Sequence, residues 1–179
     1  MSRIVYRHKP ANRFIVSAIG QPGEREFFLQ IKSAEGVNTV ALEKEQVRAL
    51  SDQLQNLLTE IRRSGMIDKS EALVQAQIDN DPLELPIESD FELGIANIAW
   101  RDKSIEITFQ AISGDDVLIL DDLDNGPDLI VANISIEIAK GFCIRANELI
   151  KSGRADCPFC GLPINISGHL CPRANGYRR

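Results

Sequence analysis

The segment from Glu26 to Gly65, EFFLQIKSAEGVNTVALEKEQVRALSDQLQNLLTEIRRSG, sets the expected fold because it passes from two strands into one helix. Apolar and polar residues alternate in EFFLQIK, with Phe28 as the exception, which is the two-residue period of a strand. The turn SAEG leads into a second strand, Val37–Leu42. Apolar residues then recur every three or four positions, which predicts a helix over about Lys44–Arg63 that ends at Ser-Gly.

Strands are also predicted on both sides of this segment. Arg3–Arg7 and Arg13–Ile19 precede it, and the turn in QPGERE separates them from the next strand. Four more strands are predicted downstream, at Leu93–Trp100, Ser104–Ala111, Val117–Leu120 and Leu129–Ile134. Ser135 then suits the N-cap of a second helix over about Ile136–Lys151.

Runs of antiparallel strands followed by a helix predict an α+β fold with the helices against the sheet. We expect an α+β body over residues 1–153, made of two β-rich halves at about 1–65 and 90–153 that an acidic surface linker, 66–89, connects. Both helices follow a strand containing Val-Ala and end in Ser-Gly, so an internal duplication is a hypothesis. Six helix residues are expected to be buried: Leu50, Leu54, Leu57, Phe142, Ala146 and Leu149.

The composition is that of a globular protein, with 179 residues of which 44% are hydrophobic. No apolar run reaches the roughly 20 residues that cross a bilayer, and MSRIVYRHKP lacks the apolar stretch of a secretion signal. Three of the four cysteines cluster near the C-terminus, whereas a disulfide scaffold spreads them through the chain. We therefore expect a cytoplasmic protein that binds metal and has no membrane partner.

The net charge of −6 is unevenly distributed. Residues 65–130 carry three basic and sixteen acidic side chains, whereas residues 151–179 carry five basic and one acidic. The acidic middle repels nucleic acid and anionic membranes, whereas the basic end can attract either of these or an acidic protein. Charge blocks more often serve solvation than recognition.

The motif CPFCGLPINISGHLC carries the clearest chemistry in the sequence. Cys157 and Cys160 share a Cys-x-x-Cys turn, and Gly161 relieves crowding where the backbone amides turn toward sulfur. His169 and Cys171 are two residues apart, so an extended segment projects both to the same side. Three thiolates and one imidazole complete a tetrahedral Zn²⁺ site, and because protein fills all four positions the predicted zinc is structural. We expect a zinc knuckle over residues 154–179.

A redox dithiol is the rival interpretation, because Cys-Pro-Phe-Cys resembles the motif of glutaredoxin-like proteins. In those proteins the motif opens a helix whose N-terminus stabilises the thiolate. Here a glycine and a proline follow within three residues, and no helical pattern comes after them. A redox site also has no need of His169 and Cys171, so the pattern favours zinc.

The remaining candidate groups have ordinary interpretations. Cys143 lies in the apolar stripe of the second helix and is expected to act as a small buried hydrophobe. His8 is expected on the surface at a strand edge, and no serine–histidine–acid site is proposed. The loop DDLDNG fails as a calcium site because its third position is Leu123 and its twelfth is Ala132.

The tail GRADCPFCGLPINISGHLCPRANGYRR resembles the end of a bacterial family, domain-of-unknown-function family 3090, whose members finish in CPFCGLP, a short spacer and GHxCPRANGYRR. The resemblance continues upstream through QPGEREFFLQ at 21–30 and VALEKEQV at 40–47. It supports the four zinc ligands residue by residue and implies a bacterial protein. It implies no particular activity.

Three kinds of function remain open at this point. An interaction or regulatory module would contact another protein through the knuckle and the basic tail, and it is favoured because no catalytic residues are recognised. The candidate contact residues are Arg173, Tyr177, Arg178 and Arg179. An enzyme would use carboxylates from residues 79–92 or 115–128, and a nucleic-acid binder would use the same tail against the opposing acidic charge. The oligomeric state is not predicted.

Overall fold

The computed structural model describes residues 3–114, 125–153, 157–162, 164 and 168–173. They form an α+β fold of seven strands and three helices, of which one is a single turn. The strands are β1 (Val5–His8), β2 (Arg13–Ile19), β3 (Glu26–Ser33), β4 (Gly36–Leu42), β5 (Phe91–Arg101), β6 (Ser104–Ala111) and β7 (Leu129–Ile134). The helices are α1 (Lys44–Ser64), α2 (Lys69–Ala72) and α3 (Ile136–Lys151). The predicted strand Val117–Leu120 lies outside the described residues.

Local sequence signals set the ends of both long helices. At the start of α1, Glu43 and Gln46 form a capping box, in which each side chain accepts a hydrogen bond from the other residue's backbone N–H. α1 ends before Gly65, whose φ of 70° is the left-handed conformation that glycine adopts most easily. At the start of α3, the Ser135 hydroxyl accepts the Ile138 N–H at 3.3 Å, as the sequence predicts.

The seven strands form one sheet in the order β1-β7-β6-β5-β4-β3-β2. Neighbouring strands are antiparallel except β1–β7 and β4–β5, which are parallel. β1 and β2 stand at opposite ends of this order although only residues 9–12 join them. The sheet therefore curls until its two ends meet. Across the join, the Ala11 N–H donates to the Asn133 carbonyl of β7 at 2.8 Å and the Asn12 N–H to the Lys32 carbonyl of β3 at 2.9 Å.

His8 lies inside this join, so the prediction of a surface histidine is wrong. Its side chain is 1% exposed. Nδ1 is 2.7 Å from the Ser33 hydroxyl and Nε2 is 2.8 Å from the Asn38 side-chain oxygen. The sequence places His8 at the end of a short strand, and only the curling of the sheet brings the β3–β4 hairpin over it. A buried polar ring needs both partners.

The apolar core lies between the curled sheet and the two long helices. Phe14 of β2 is the centre of an aromatic group, since its ring lies 6.1 Å from that of Phe109 and 4.8 Å from that of Phe142. Four of the six predicted helix residues are buried: Leu50, Leu54, Phe142 and Ala146. Leu57 and Leu149 are only half-buried, because they lie at the margins of the two apolar stripes and pack against the core from its edge.

Residues 74–90, which we call the strap, make specific contacts with the body, and most of them belong to the acidic surface linker, 66–89, that the sequence predicts. The strap contains no helix or strand. Arg13 of β2 binds its Asp79 carboxylate through Nε at 2.6 Å and Nη2 at 3.1 Å. Arg145 of α3 donates to the backbone carbonyls of Asp79 at 2.5 Å and Asp81 at 2.9 Å. Two arginines on different elements therefore hold one turn of the strap.

The second half of the strap pairs with the face of β3 and β4 that points away from the core. The side-chain amide of Gln30 exchanges two hydrogen bonds with the Glu84 backbone, at 2.7 and 3.0 Å. Asp90 also makes two hydrogen bonds with the Thr39 backbone. The Asp90 N–H donates to the Thr39 carbonyl and the Asp90 carboxylate accepts the Thr39 N–H, each at 2.8 Å. Leu83, directly before Glu84, is 6% exposed. These contacts explain why Gln30 and Thr39 are buried on the polar side of their strands.

Asp79→Asn should make folding less sensitive to acid. Hydrogen bonds from Arg13 hold the pKa of Asp79 below its ordinary value of 3.8, against the opposing effect of burial. A carboxyl group whose pKa is lowered on folding stabilises the protein above 3.8, and that stabilisation disappears as the pH falls through the folded-state value. Between about pH 6 and pH 2 the wild type should lose about 1–2 kcal/mol more unfolding free energy than the variant, measured by urea titration. Equal losses would contradict this role. Glu45→Gln, at an exposed ion pair with Arg48, serves as the control.

Candidate metal centre

The C-terminal cluster begins with a tight turn that brings two cysteines together. The Gly161 N–H donates to the Cys157 carbonyl and the Cys157 N–H to the Leu162 carbonyl, each at 2.8 Å. Gly161 has a φ of 74°, a left-handed conformation that glycine adopts without a Cβ clash. Residues 161 and 162 are not helical. The helix that a redox dithiol opens is therefore not formed directly after Cys160.

The donor atoms of Cys157, Cys160, His169 and Cys171 all lie within 4.8 Å of one another. The Sγ atoms of Cys157 and Cys171 are 3.8 Å apart, and Sγ of Cys160 is 3.3 Å from Nε2 of His169. Metal–sulfur bonds of about 2.3 Å in a tetrahedron separate two sulfurs by about 3.8 Å. A disulfide would bring them to about 2.05 Å, and all four cysteines are free thiols. These distances are compatible with a metal site.

The thiols in the cluster affect one another's ionisation. Burial raises the pKa of Cys157, but hydrogen bonds from the Phe159 and Cys160 backbone and from neighbouring thiols together bring it below the ordinary 9.0. At Cys160 a hydrogen bond from the Leu162 backbone lowers the pKa, yet burial and the adjacent sulfurs raise it above 9.0. Ionisation of one thiol therefore disfavours ionisation of a second. A divalent cation among the sulfurs offsets that repulsion.

Three large apolar side chains of the cluster segment point into solvent. Phe159 is 63% exposed, Leu162 50% and Leu170 85%. Sequence reasoning missed them, although a cysteine–histidine loop this short has no core in which to bury such residues. Arg173, which the sequence singled out, is exposed beside them and donates to the Phe159 carbonyl at 3.1 Å. The other predicted contact residues, Tyr177, Arg178 and Arg179, lie outside the described residues.

Cys143 lies in the core of the body, as the sequence predicts. It is 5% exposed, and its Sγ donates to the Ser51 carbonyl of α1 at 3.7 Å. Burial raises the pKa of this thiol to about 11. A neutral, enclosed thiol has little nucleophilic reactivity.

Ser33, His8 and Asn38 are placed in the order of a nucleophile, a base and an orienting group. Sequence reasoning did not find this arrangement. Ser33 and Asn38 are 6% and 9% exposed, and His8 is more enclosed still. A serine nucleophile needs an open face toward its substrate. The triplet therefore acts in the described structure as a buried polar tie between β1 and the β3–β4 hairpin.

Three of the six carboxylates in residues 79–92, the group that an enzyme would use, are engaged in structural contacts. Asp79 binds Arg13, Glu84 lies 2.6 Å from the Lys32 ammonium, and Asp90 accepts the Thr39 N–H. Of the second acidic group, residues 115–124 lie outside the described residues. Asp128 accepts the Ile4 N–H at 2.8 Å.

No helix in the described part of the chain is long and apolar enough to cross a bilayer. A family model described as "Protein of unknown function (DUF3090)" matches residues 6–171. The match runs through the body from Tyr6 and ends at Cys171, the last residue of the cysteine–histidine cluster. No curated protein and no solved structure matches the chain.

Proposed function

We propose that this chain, which belongs to the DUF3090 family of proteins of unknown function, is an interaction module whose C-terminal cluster holds one structural zinc ion and presents a protein-binding surface. The α+β body carries the cluster at the end of α3, a few residues beyond Lys151. The observation that supports this most directly is the combination of a four-donor cluster with three exposed apolar side chains on the same short segment.

The donor set supports zinc as the ion. Thiolates and imidazole are the ligands of structural zinc sites, and three sulfurs with one nitrogen are a common combination. Because Cys157, Cys160, His169 and Cys171 supply all four positions of a tetrahedron, no position is left for a catalytic water. Thiolate–zinc sites persist in reducing compartments, which agrees with a cytoplasmic location.

The exposed surface of the cluster supports a protein partner. Phe159, Leu162 and Leu170 lie within twelve positions of one another in the chain and face solvent. Large apolar groups grouped on a surface mark contact sites more often than scattered ones do. The five basic side chains against one acidic in residues 151–179 favour an acidic partner surface. The partner we infer therefore combines apolar pockets with an acidic rim.

A photo-crosslinking residue at position 159, introduced in the native host, should capture a discrete protein. Leu170→Ser in the same chain should reduce the crosslinked yield by about tenfold, because it removes a neighbouring apolar contact but no zinc ligand. The same crosslinker at Val37, an exposed position on β4, is the matched control and should not yield that product. Equal products from positions 159 and 37, or no product from the zinc-loaded protein, would contradict the proposed surface.

A further inference from the structure

β5 has an open edge along most of its length. β6 pairs with it from Leu93 to Arg101, whereas β4 pairs with it only at Phe91 and Glu92. Beyond that point, the Gln46 side chain of α1 donates to the Leu93 carbonyl at 2.9 Å. Residues 94–100 are all half-exposed. Among the described residues, no strand pairs with this edge after Glu92.

The corresponding edge of β2 is covered. β2, like β5, pairs with its antiparallel neighbour on one side only. Arg145 of α3 donates to its Val16 carbonyl at 2.7 Å, and residues 14–16 are buried. The strap reaches β2 through Arg13. In the part of the chain that the structure describes, one long strand edge is thus covered by a helix and the strap, whereas the other has no strand partner.

The hairpin geometry identifies which backbone groups of β5 point outward. Asp102 and Lys103 have φ of 50° and 59° and form a two-residue turn, so Arg101 and Ser104 are a hydrogen-bonded pair. Alternate residues bond to alternate sides of a strand. The N–H and C=O groups of Ala96, Ile98 and Trp100 therefore face the open edge. Another extended strand can form hydrogen bonds with this row of backbone groups.

We propose that this edge binds β5 of a second copy of the chain, antiparallel about a two-fold axis near Asn97. The run LGIANIAW, residues 93–100, contains no charge and no proline, which are the features that usually keep strand edges apart. Identical strands paired across a two-fold axis run antiparallel, so the Glu92 end of one copy lies beside the Arg101 end of the other. Both side chains are exposed and of opposite charge, and Arg101, whose Nε lies 3.4 Å from a Glu106 carboxylate oxygen in its own hairpin, is exposed enough to contact a second carboxylate.

The two-fold arrangement also explains why association would stop at two chains. Each β5 has one open edge, and an isologous contact uses both edges at once. The joined sheet then continues across the axis with the outward groups of Ala96, Ile98 and Trp100 paired. A heterologous contact would leave one edge free and permit fibres.

The test is the mass of the full-length, zinc-loaded protein in solution. The wild type should have twice the 19.9 kDa of one chain by light scattering at about 100 µM. Asn97→Lys and Asn97→Glu should each be monomeric, because the axis brings two like charges together, and an equimolar mixture of the two should regain the doubled mass. Val37→Lys, an exposed site on β4, should remain dimeric.

Hydrogen exchange gives a readout on the unmodified chain. The amides of Ala96, Ile98 and Trp100 should exchange at least tenfold more slowly at high than at low protein concentration, because dimer formation gives them strand partners. A wild type that is monomeric at about 100 µM, or a dimer that both Asn97 variants leave intact, would overturn the proposal. Concentration-independent exchange at these three amides would do so as well, even where a variant fails to fold.

Discussion

Cys157→Ser or Cys171→Ser is expected to reduce bound zinc from about one ion per chain to almost none. The two thiols are 5% and 7% exposed and their sulfurs are 3.8 Å apart, so each substitution removes a buried sulfur ligand from the centre of the cluster. Loss of one of four ligands removes the closed tetrahedron from which a structural site derives its affinity. Elemental analysis of protein purified under reducing conditions measures the effect. His169→Ala should weaken binding strongly.

Cys143→Ala is the matched control for these variants. It also removes a buried thiol, but one that contacts the Ser51 carbonyl in the core of the body, and it should leave zinc at about one ion per chain. Chelation of the wild type should make residues 154–179 sensitive to protease, while the body stays folded on its own apolar core. Native protein that lacks metal and shows a reversible Cys157–Cys160 disulfide would establish a redox site and remove the main support for the interaction module.

The strands and helices were predictable from sequence because their signals are local. The alternation in β3 and β6, the capping box at Glu43, the left-handed Gly65 and the N-cap at Ser135 each act within a few residues. The order of the strands was not predictable in this way. The parallel contacts of β1 with β7 and of β4 with β5 join residues far apart in the sequence, and nothing in either strand identifies its partner.

The contrast between local signals and long-range contacts also holds for the cysteine–histidine cluster and the buried polar groups. Four cysteine and histidine positions within fifteen residues predict a metal site from spacing alone, and their donor atoms do lie together. His8 and Arg145 gave no such signal, because each acquires its role from a chain segment that folds over it: the β3–β4 hairpin in one case and the strap in the other. Acidic, proline-containing residues predicted a surface linker, but its contacts with two arginines and a glutamine amide more than twenty positions away could not be predicted.

Gly141→Ala is expected to destabilise the protein although alanine favours helices. A Cβ at this position of α3 would lie 1.8 Å from the Gln77 carbonyl oxygen of the strap, and a carbon–oxygen contact needs about 3.3 Å. The strap would have to move by about 1.5 Å, which breaks the 2.9 Å bond from the Gln77 N–H to the Glu137 carbonyl. We expect the unfolding free energy to fall by about 2–3 kcal/mol.

The sign of this change separates two physical effects. Helix propensity alone predicts a gain of about 1 kcal/mol for alanine over glycine inside a helix, whereas the close approach of the strap predicts a loss. Glu148→Ala, on the exposed face of α3, should change stability by less than about 0.5 kcal/mol. In an Asp79→Ala background the strap is already loosened, so Gly141→Ala should cost less there than in the wild type, as a double-mutant cycle in urea would measure. A stabilising Gly141→Ala would show that the strap does not rest on α3 at Gln77.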